Sequence, residues 1–401
     1  MFNNSTAVNS TTPAPTTIFM TTMITSAATT MFNHSDNYTQ LNGTSPPRGR
    51  YCPEQQTNQQ ERIIKITAYS VILVVSLIGN ILIAAVILSN KKMKKPTNYF
   101  ILNMAISDLV IPTMVVSRQL VLLCTQPKHI SEWLVEGTIG TLLCKLVHFF
   151  QDVTTAVSIF SLILITVDRF IAVVYPMKHY IMSSKTCKVS ILATWLVGMS
   201  IHAVYLYTYE VLVIHGMNLC SSGWYTKFGR ELGAIFVRNY YLILFFLLAV
   251  MPVVVMAVAY TIIIVSLKRQ SIPLGDSFSD RQKRQRANRE QKILRMAIAI
   301  IVTFVILWIP YNVFIFLELF VYNDGAPKPC FLITFHFIAF FCAYANAAVN
   351  PCIVFMFSQN FRHGFMQMLA NVGIIKNRSI RQQTTTQISM TMQNKAYEND
   401  S

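Results

Sequence analysis

Among the oxygen-bearing side chains that interrupt long apolar runs in this chain are Asn80, Asp108, Ser158, Asn346 and Asn350. A carboxylate among amide and hydroxyl oxygens suits Na⁺, or a proton held in a water network, rather than a transition metal. Asn346 and Asn350 stand four residues apart, on one face of a helix. The competing account is hydrogen bonding between membrane helices, worth only ~0.6 kcal/mol per pair; taken alone, the residues support both accounts. A second constellation is ionic. Asp168-Arg169-Phe170 closes one apolar run, and Arg289-Glu290 stands near the start of a later one. An Arg169–Glu290 bridge would clamp two helix ends, and breaking it would open a cavity for a partner. The alternative is a pair of interfacial charges snorkelling to water.

The elements that must position these groups are seven apolar runs: Ile66–Leu88, Tyr99–Leu123, Gly140–Val174, Val189–Leu206, Tyr240–Leu267, Met296–Val321 and Phe331–Phe357. A bilayer core needs about 20 apolar residues of helix. Backbone groups in lipid must be satisfied internally, so each run is helical or part of a closed barrel. The runs are continuous rather than alternating, which excludes a barrel. The expected fold is an all-α membrane bundle of seven spanning helices. Pro112, Pro252, Pro310 and Pro351 lie inside the runs and favour kinks.

Composition agrees. The chain is 53% hydrophobic and 12% charged, with mean hydropathy +0.45, where soluble domains carry roughly 25% charge. Its net charge of +16 would otherwise suggest nucleic acid. The basic residues instead fall in alternate loops: Lys91 to Lys95, then Lys178, Lys185 and Lys188, then nine between Lys268 and Arg295. Together with the tail, that side carries the whole imbalance and the rest of the chain balances. The positive-inside rule makes that side cytoplasmic and the N-terminus external. No nucleic-acid partner is expected.

The domain reading is an extracellular arm over 1–62, the bundle over 63–357, an amphipathic eighth helix over 358–371 and a cytoplasmic tail over 372–401. The arm is rich in Thr, Ser and Asn and has no apolar signal-peptide core, so the first helix is expected to direct insertion. Sequons at Asn3, Asn4, Asn9, Asn33, Asn37 and Asn42 mark it as a glycosylated, disordered segment. Of eight cysteines, Cys144 and Cys220 face the oxidising side and can bridge. Cys52 and Cys330 form a second candidate pair, with Cys124 as competitor. Cys187, Cys342 and Cys352 read as small packing residues.

In order along the chain stand Gly79-Asn80; Leu102-Asn103-Met104-Ala105-Ile106-Ser107-Asp108-Leu109; Cys144; Asp168-Arg169-Phe170; Trp195; Pro252 with Tyr260; Phe304-x-x-Leu307-Trp308-x-Pro310; Asn350-Pro351; and Phe361-Arg362. This ordered set, one motif per helix over roughly residues 63–371, resembles the rhodopsin-like (class A) G-protein-coupled receptors. The resemblance implies an allosteric sodium site at Asp108, Ser158, Asn346 and Asn350. It implies a connector of Ile159, Pro252 and Phe304 that repacks when agonist reaches Trp308, and a Cys144–Cys220 disulfide. It gives Arg169 the role of meeting the G protein once released from Asp168 and Glu290, with Tyr260, Asn350 and Pro351 as further parts of the switch.

Three departures stand out. Val354 occupies the place of the tyrosine that usually closes the Asn-Pro-x-x-Tyr motif and meets the fifth-helix tyrosine, here Tyr260, through water. The fourth helix lacks its usual outer proline. No cysteine lies between 362 and 380 to carry a palmitoyl anchor.

The resemblance also narrows the ligand. An opsin needs a seventh-helix lysine, where this chain has Tyr344. Amine receptors carry an aspartate one position before Asp152, where this chain has Gln151, and usually have two phenylalanines where Tyr311-Asn312 stands. The pattern looks more like receptors for neuropeptide Y, neuropeptide FF, galanin and tachykinins. The implied pocket is Gln151, Asp152, Trp308, Tyr311, Asn312, Glu318, His336 and Tyr344. Asp152 and Glu318 would meet a basic ligand group, Glu318 lying about three helical turns beyond Trp308; Arg118, His148 and His336 offer counter-charges. The expected function is a plasma-membrane receptor that binds an extracellular peptide and activates heterotrimeric G proteins. Receptor kinase, arrestin and bilayer lipid are further expected partners, the kinase and arrestin through the Thr384–Thr391 tail segment. No cofactor beyond Na⁺ is expected. A non-signalling decoy, suggested by Val354, and an amine receptor are alternatives of the same fold. A transporter is the alternative from another class, though no internal repeat is visible. Without His-Glu-x-x-His or Gly-x-Gly-Asp, no enzyme is expected.

Overall fold

The computed structural model describes residues 59–125, 132–175, 177, 182–214, 216–270, 278–322 and 329–371, without the side chains at 92, 214, 270, 278–290 and 371. The glycosylation sequons, Cys52, the Glu290 side chain and the tail lie outside the described residues.

Seven helices are long and apolar enough to span a membrane: α1 (Gln59–Ser89), α2 (Pro96–Thr125), α3 (Gly137–Val174), α4 (Ser184–Thr208), α5 (Arg230–Arg269), α6 (spanning part Gln291–Val321) and α7 (Phe331–Phe357). An eighth, α8, covers Gln359–Asn371. The apolar runs therefore mark the spans, and the helices overrun them. α1 starts four residues inside the expected arm. α5 starts ten residues before the apolar run, because its first turns carry Arg230, Glu231 and Arg238 and are helical without being apolar. α6 extends back to Phe278 through the basic segment.

The faces sort by polarity in the membrane sense. On α1, Tyr69, Ile72, Ser76, Asn80, Ile83 and Ile87 are buried, at helical spacing. Val71, Val74, Ile78, Ile81 and Leu88 alternate with them and are exposed. In water the exposed stripe would be unfavourable; against lipid tails it costs nothing. What holds such helices together is close packing and interhelical hydrogen bonds. Gly79 supplies close packing: a Cβ there would fall 2.6 Å from Cβ and Cγ of Pro351 on α7. Asn80 supplies the bond, its Nδ2 donating to Ala347 O of α7 and to Ser76 O, both at 2.9 Å.

Asn103 on α2 is a junction of three helices. Its Nδ2 donates to Ser161 Oγ on α3 (2.9 Å) and Thr194 Oγ1 on α4 (3.3 Å), and its Oδ1 accepts from Trp195 Nε1 at 2.9 Å. α8 lies against α1, with Phe361 buried and Asn90 Nδ2 donating to Gln367 Oε1 at 3.0 Å.

Three segments depart from α winding. Ile111–Val116 in α2, Phe245–Val250 in α5 and Leu317–Val321 at the end of α6 are π-helical. Pro112 falls in the first of these, while helix continues through Pro310 and Pro351.

On one face of the bundle, Cys144 at the start of α3 is disulfide-bonded to Cys220. Cys220 sits in an antiparallel hairpin, β1 (Glu210–Ile214) with β2 (Met217–Ser221), paired Val211↔Cys220 and Leu212↔Leu219. The α2–α3 connection adds to the β2 edge, Trp133 N donating to Asn218 O at 2.7 Å. Lys227, in the one-turn helix Trp224–Phe228, pairs with Glu210 at 2.7 Å. The Lys227 hydrogen bond, helped by Thr226, holds the Glu210 carboxyl below its usual range. The pair's contribution is therefore present above the ordinary carboxylate range and is lost as pH falls through the lowered value. Cys330 is also disulfide-bonded, while Cys124 is free and exposed; the expected partner of Cys330, Cys52, is outside the described residues. Cys187 is buried as expected, but Cys352 is exposed on the surface of α7 rather than packed inside.

Candidate functional site

The polar groups fall at three depths along α3. At the end opposite the disulfide, Arg169 Nη2 and Nε donate to Asp168 Oδ2 at 2.6 and 3.2 Å. Thr97, in the first turn of α2, completes the group: its Oγ1 accepts from Arg169 Nη2 at 2.7 Å and donates to Asp168 Oδ2. Arg169 is only 9% exposed. Thr97 escaped the sequence reading because a threonine at a helix start is more often a cap. The expected Glu290 contact lies outside the described residues. Deeper in, Tyr260 is buried, its hydroxyl accepting from Thr166 Oγ1 at 3.3 Å. Val354 is completely buried in the same apolar core.

At mid-depth, Asn350 Nδ2 donates to Asp108 Oδ2 at 2.8 Å. A small cavity of about 30 Å³ is walled by Asp108, Ser158 and Asn346, and reaches up to Gln151, Asp152 and Trp308. That volume exceeds the ~10–15 Å³ a single water needs. Ser158 Oγ is buried beside the Asp108 carboxylate. One carboxylate with hydroxyl and amide oxygens around a water-sized space fits a small hard cation. The four expected residues are thus together: three on the cavity wall and Asn350 bonded to the carboxylate.

On the disulfide side, a larger cavity of about 460 Å³ opens between α3, α4, α5 and α6. Asp152, Trp308, Tyr311 and Asn312 line it, and Ile159 and Phe304 form its floor with Trp308. The Phe304 and Trp308 rings lie 5.8 Å apart, and Trp308 meets Tyr311 edge-on at 5.3 Å. Gln151 and Tyr344 line the adjoining small cavity. Of the connector, Ile159 and Phe304 share the apolar core, and Pro252 is buried on α5.

Asp152 Oδ2 accepts from Tyr205 Oη at 2.8 Å and Oδ1 from Gln151 Nε2 at 3.4 Å. Among the described residues no cation pairs with it. Tyr205 belongs to an aromatic group with Tyr209, His202 and Tyr240, in which His202 Nδ1 lies 2.9 Å from Tyr240 Oη. Tyr205 and His202 were absent from the expected pocket, although a histidine inside an apolar span is itself a signal of function.

Glu318 and His336 do not line either cavity. Glu318 stands ten residues beyond Trp308, about 2.8 α-helical turns, which puts it roughly 80° round α6 from Trp308, while Leu319 next to it lines the larger cavity. His336 is exposed on α7, against Phe314 and Phe340. Arg118 of α2 stacks over the Trp133 ring at 5.0 Å and has no acid partner among the described residues.

A seven-helix membrane bundle with a disulfide-pinned hairpin over one mouth, a polar mid-membrane cluster and a buried arginine at the other end has the architecture of a membrane receptor. Residues 79–353 match the family described as 7 transmembrane receptor (rhodopsin family), and the chain belongs to it. It is 30% identical to galanin receptor 2b of Danio rerio, over 81% of this chain and 79% of the relative. It is 29% identical to the substance-P receptor of Aquarana catesbeiana, over 74% of this chain and 68% of that one. It is 28% identical to the RYamide receptor of Tribolium castaneum, over 77% and 81%. It is a multi-pass membrane protein of a receptor family, not of an enzyme class.

Proposed function

We propose that the chain is a neuropeptide receptor whose ligand places a basic group on Asp152, and that it activates heterotrimeric G proteins. The carrying observation is a carboxylate with no compensating cation, held by Tyr205 at the wall of a cavity floored by Trp308. Relatives named for substance P, RYamide and galanin support the peptide class. Unpaired Arg118 supports a ligand that carries an anionic group as well. The disulfide face is extracellular on this reading, since the basic loops and tail lie on the other side, and the plasma membrane is the site of action.

Screening a peptide library for G-protein nucleotide exchange tests this. For any activating peptide, Asp152→Asn is expected to weaken potency about tenfold or more, the worth of a charge-assisted hydrogen bond. Glu318→Gln is expected to change it less than about threefold, because Glu318 lines neither cavity. Unchanged potency in the Asn variant would remove the charge-pairing reading; absence of any activating peptide would remove the peptide reading itself.

The mid-membrane cluster supports an allosteric cation. Asp108, Ser158, Asn346 and Asn350 would hold Na⁺, which supplies a positive charge that stabilises the bundle in this arrangement. Raising NaCl from near zero to ~0.15 M is expected to weaken agonist affinity by about fivefold. Asp108→Asn is expected to abolish that sensitivity, measured against a choline chloride control at equal ionic strength. Receptor kinase and arrestin are proposed partners of the Thr384–Thr391 segment through added phosphate charge.

A further inference from the structure

α5 and α6 each abandon α winding on the disulfide side, and both π segments line the same cavity, through Phe245 and Phe246 on one side and Leu317 and Phe320 on the other. Single π turns recur at functional sites because they reposition side chains. Here they frame an opening. Phe246 is 59% exposed and Phe316 53%, and both line the cavity within membrane-spanning helices. The cavity therefore opens sideways, at the level of the lipid tails.

Its inner end is polar and incompletely satisfied. Asp152 has no cation among the described residues. His202 is 1% exposed, and its Nε2 has no hydrogen-bond partner there; neither has Trp308 Nε1. All three residues line this cavity. Buried polar groups in native structures find partners, so each unsatisfied one calls for an explanation. A molecule that meets these demands together has a single apolar chain to lie between the π segments. Its head has an ammonium to donate to Asp152 and to His202 Nε2, whose Nδ1 is taken up by Tyr240, and an oxygen to accept from Trp308 Nε1.

We propose that the gap between α5 and α6 is a lateral binding site for a single-chain cationic amphiphile that enters from the bilayer. The proposal stands apart from the peptide reading, but the two ligands would share Asp152, so the amphiphile would compete with a peptide's basic group.

The test uses the full-length receptor in phosphatidylcholine nanodiscs. The probe is a long-chain amino alcohol with a diazirine in its chain and a terminal alkyne, followed by peptide mapping of the adducts. Adducts are expected in Phe245–Ala249 and Val313–Phe320, competed by octadecylamine and not by stearic acid. Asp152→Asn should lower labelling about tenfold, the loss of one charge-assisted contact. Ala249→Trp, which fills the α5 wall and leaves the Asp152 carboxylate in place, should block labelling while the melting temperature confirms folding. Adducts spread evenly over the lipid-facing residues of all helices would overturn the proposal. So would equal competition by the fatty acid, or unchanged labelling in both variants. None of these readouts depends on a peptide, so the two readings fail separately.

Discussion

Replacing Asn103 with leucine is expected to lower the receptor's folding equilibrium constant more than tenfold and its amount at the cell surface several-fold. Asn103 makes three side-chain hydrogen bonds that tie α2 to α3 and α4. Leucine nearly matches its volume, so the loss is one of bonding rather than packing. Each interhelical bond is worth ~0.6 kcal/mol on average in a membrane, so three contribute about 2 kcal/mol, already a factor above ten in the folding equilibrium. The Trp195 Nε1–H and the Ser161 and Thr194 hydroxyls are left behind, although both hydroxyls keep their bonds to backbone carbonyls one turn earlier. The control is Trp195→Phe, which removes one of the three bonds and should cost about threefold. Surface labelling and detergent melting curves read both. Equal losses in the two variants would show that Asn103 does not act as a junction.

The second large effect is expected at the opposite face. Thr97→Val keeps shape and removes the hydroxyl that bridges Asp168 and Arg169. Hydrogen bonds to charged groups contribute ~1.5–3 kcal/mol, so ligand-free nucleotide exchange on the coupled G protein should rise about tenfold. Arg169→Met in the same background should remove the exchange. A basal rate unchanged by Thr97→Val would mean that Asp168 alone holds the arginine. No exchange in the parent, the valine variant or a Val354→Tyr variant would favour a binding protein that does not signal.

Much of this architecture can be read along the chain because lipid makes the reading simple. Spans must be long, apolar and helical, and a polar residue within one must face inward. Hence Asn80, Asp108, Ser158, Asn346 and Asn350, spread over four helices, are all buried in the bundle. What the chain hides is local geometry. The hairpin Glu210–Ser221 is short, and its alternation is weak beside the apolar helices around it. α5 begins on charged residues, so hydropathy alone starts it late. Glu318 misses the cavity because ten residues are not a whole number of helical turns, so it stands on a different side of α6 from Trp308. Thr97 acquires its role only through the folded contact with a residue 72 positions away.

The small cavity beneath Trp308 has walls that include both Asp108 and Asp152. Two carboxylates thus look onto one narrow space in a region of low dielectric constant, where each feels the other's field with little screening. A positive charge held at either end offsets the repulsion felt at the other, and so weakens the attraction for a second cation. Ligand and ion can therefore oppose one another by electrostatics alone, before any helix moves. Because each binding event alters the other by the same factor, on the proposed reading a peptide that neutralises Asp152 well would also be one whose affinity responds strongly to Na⁺.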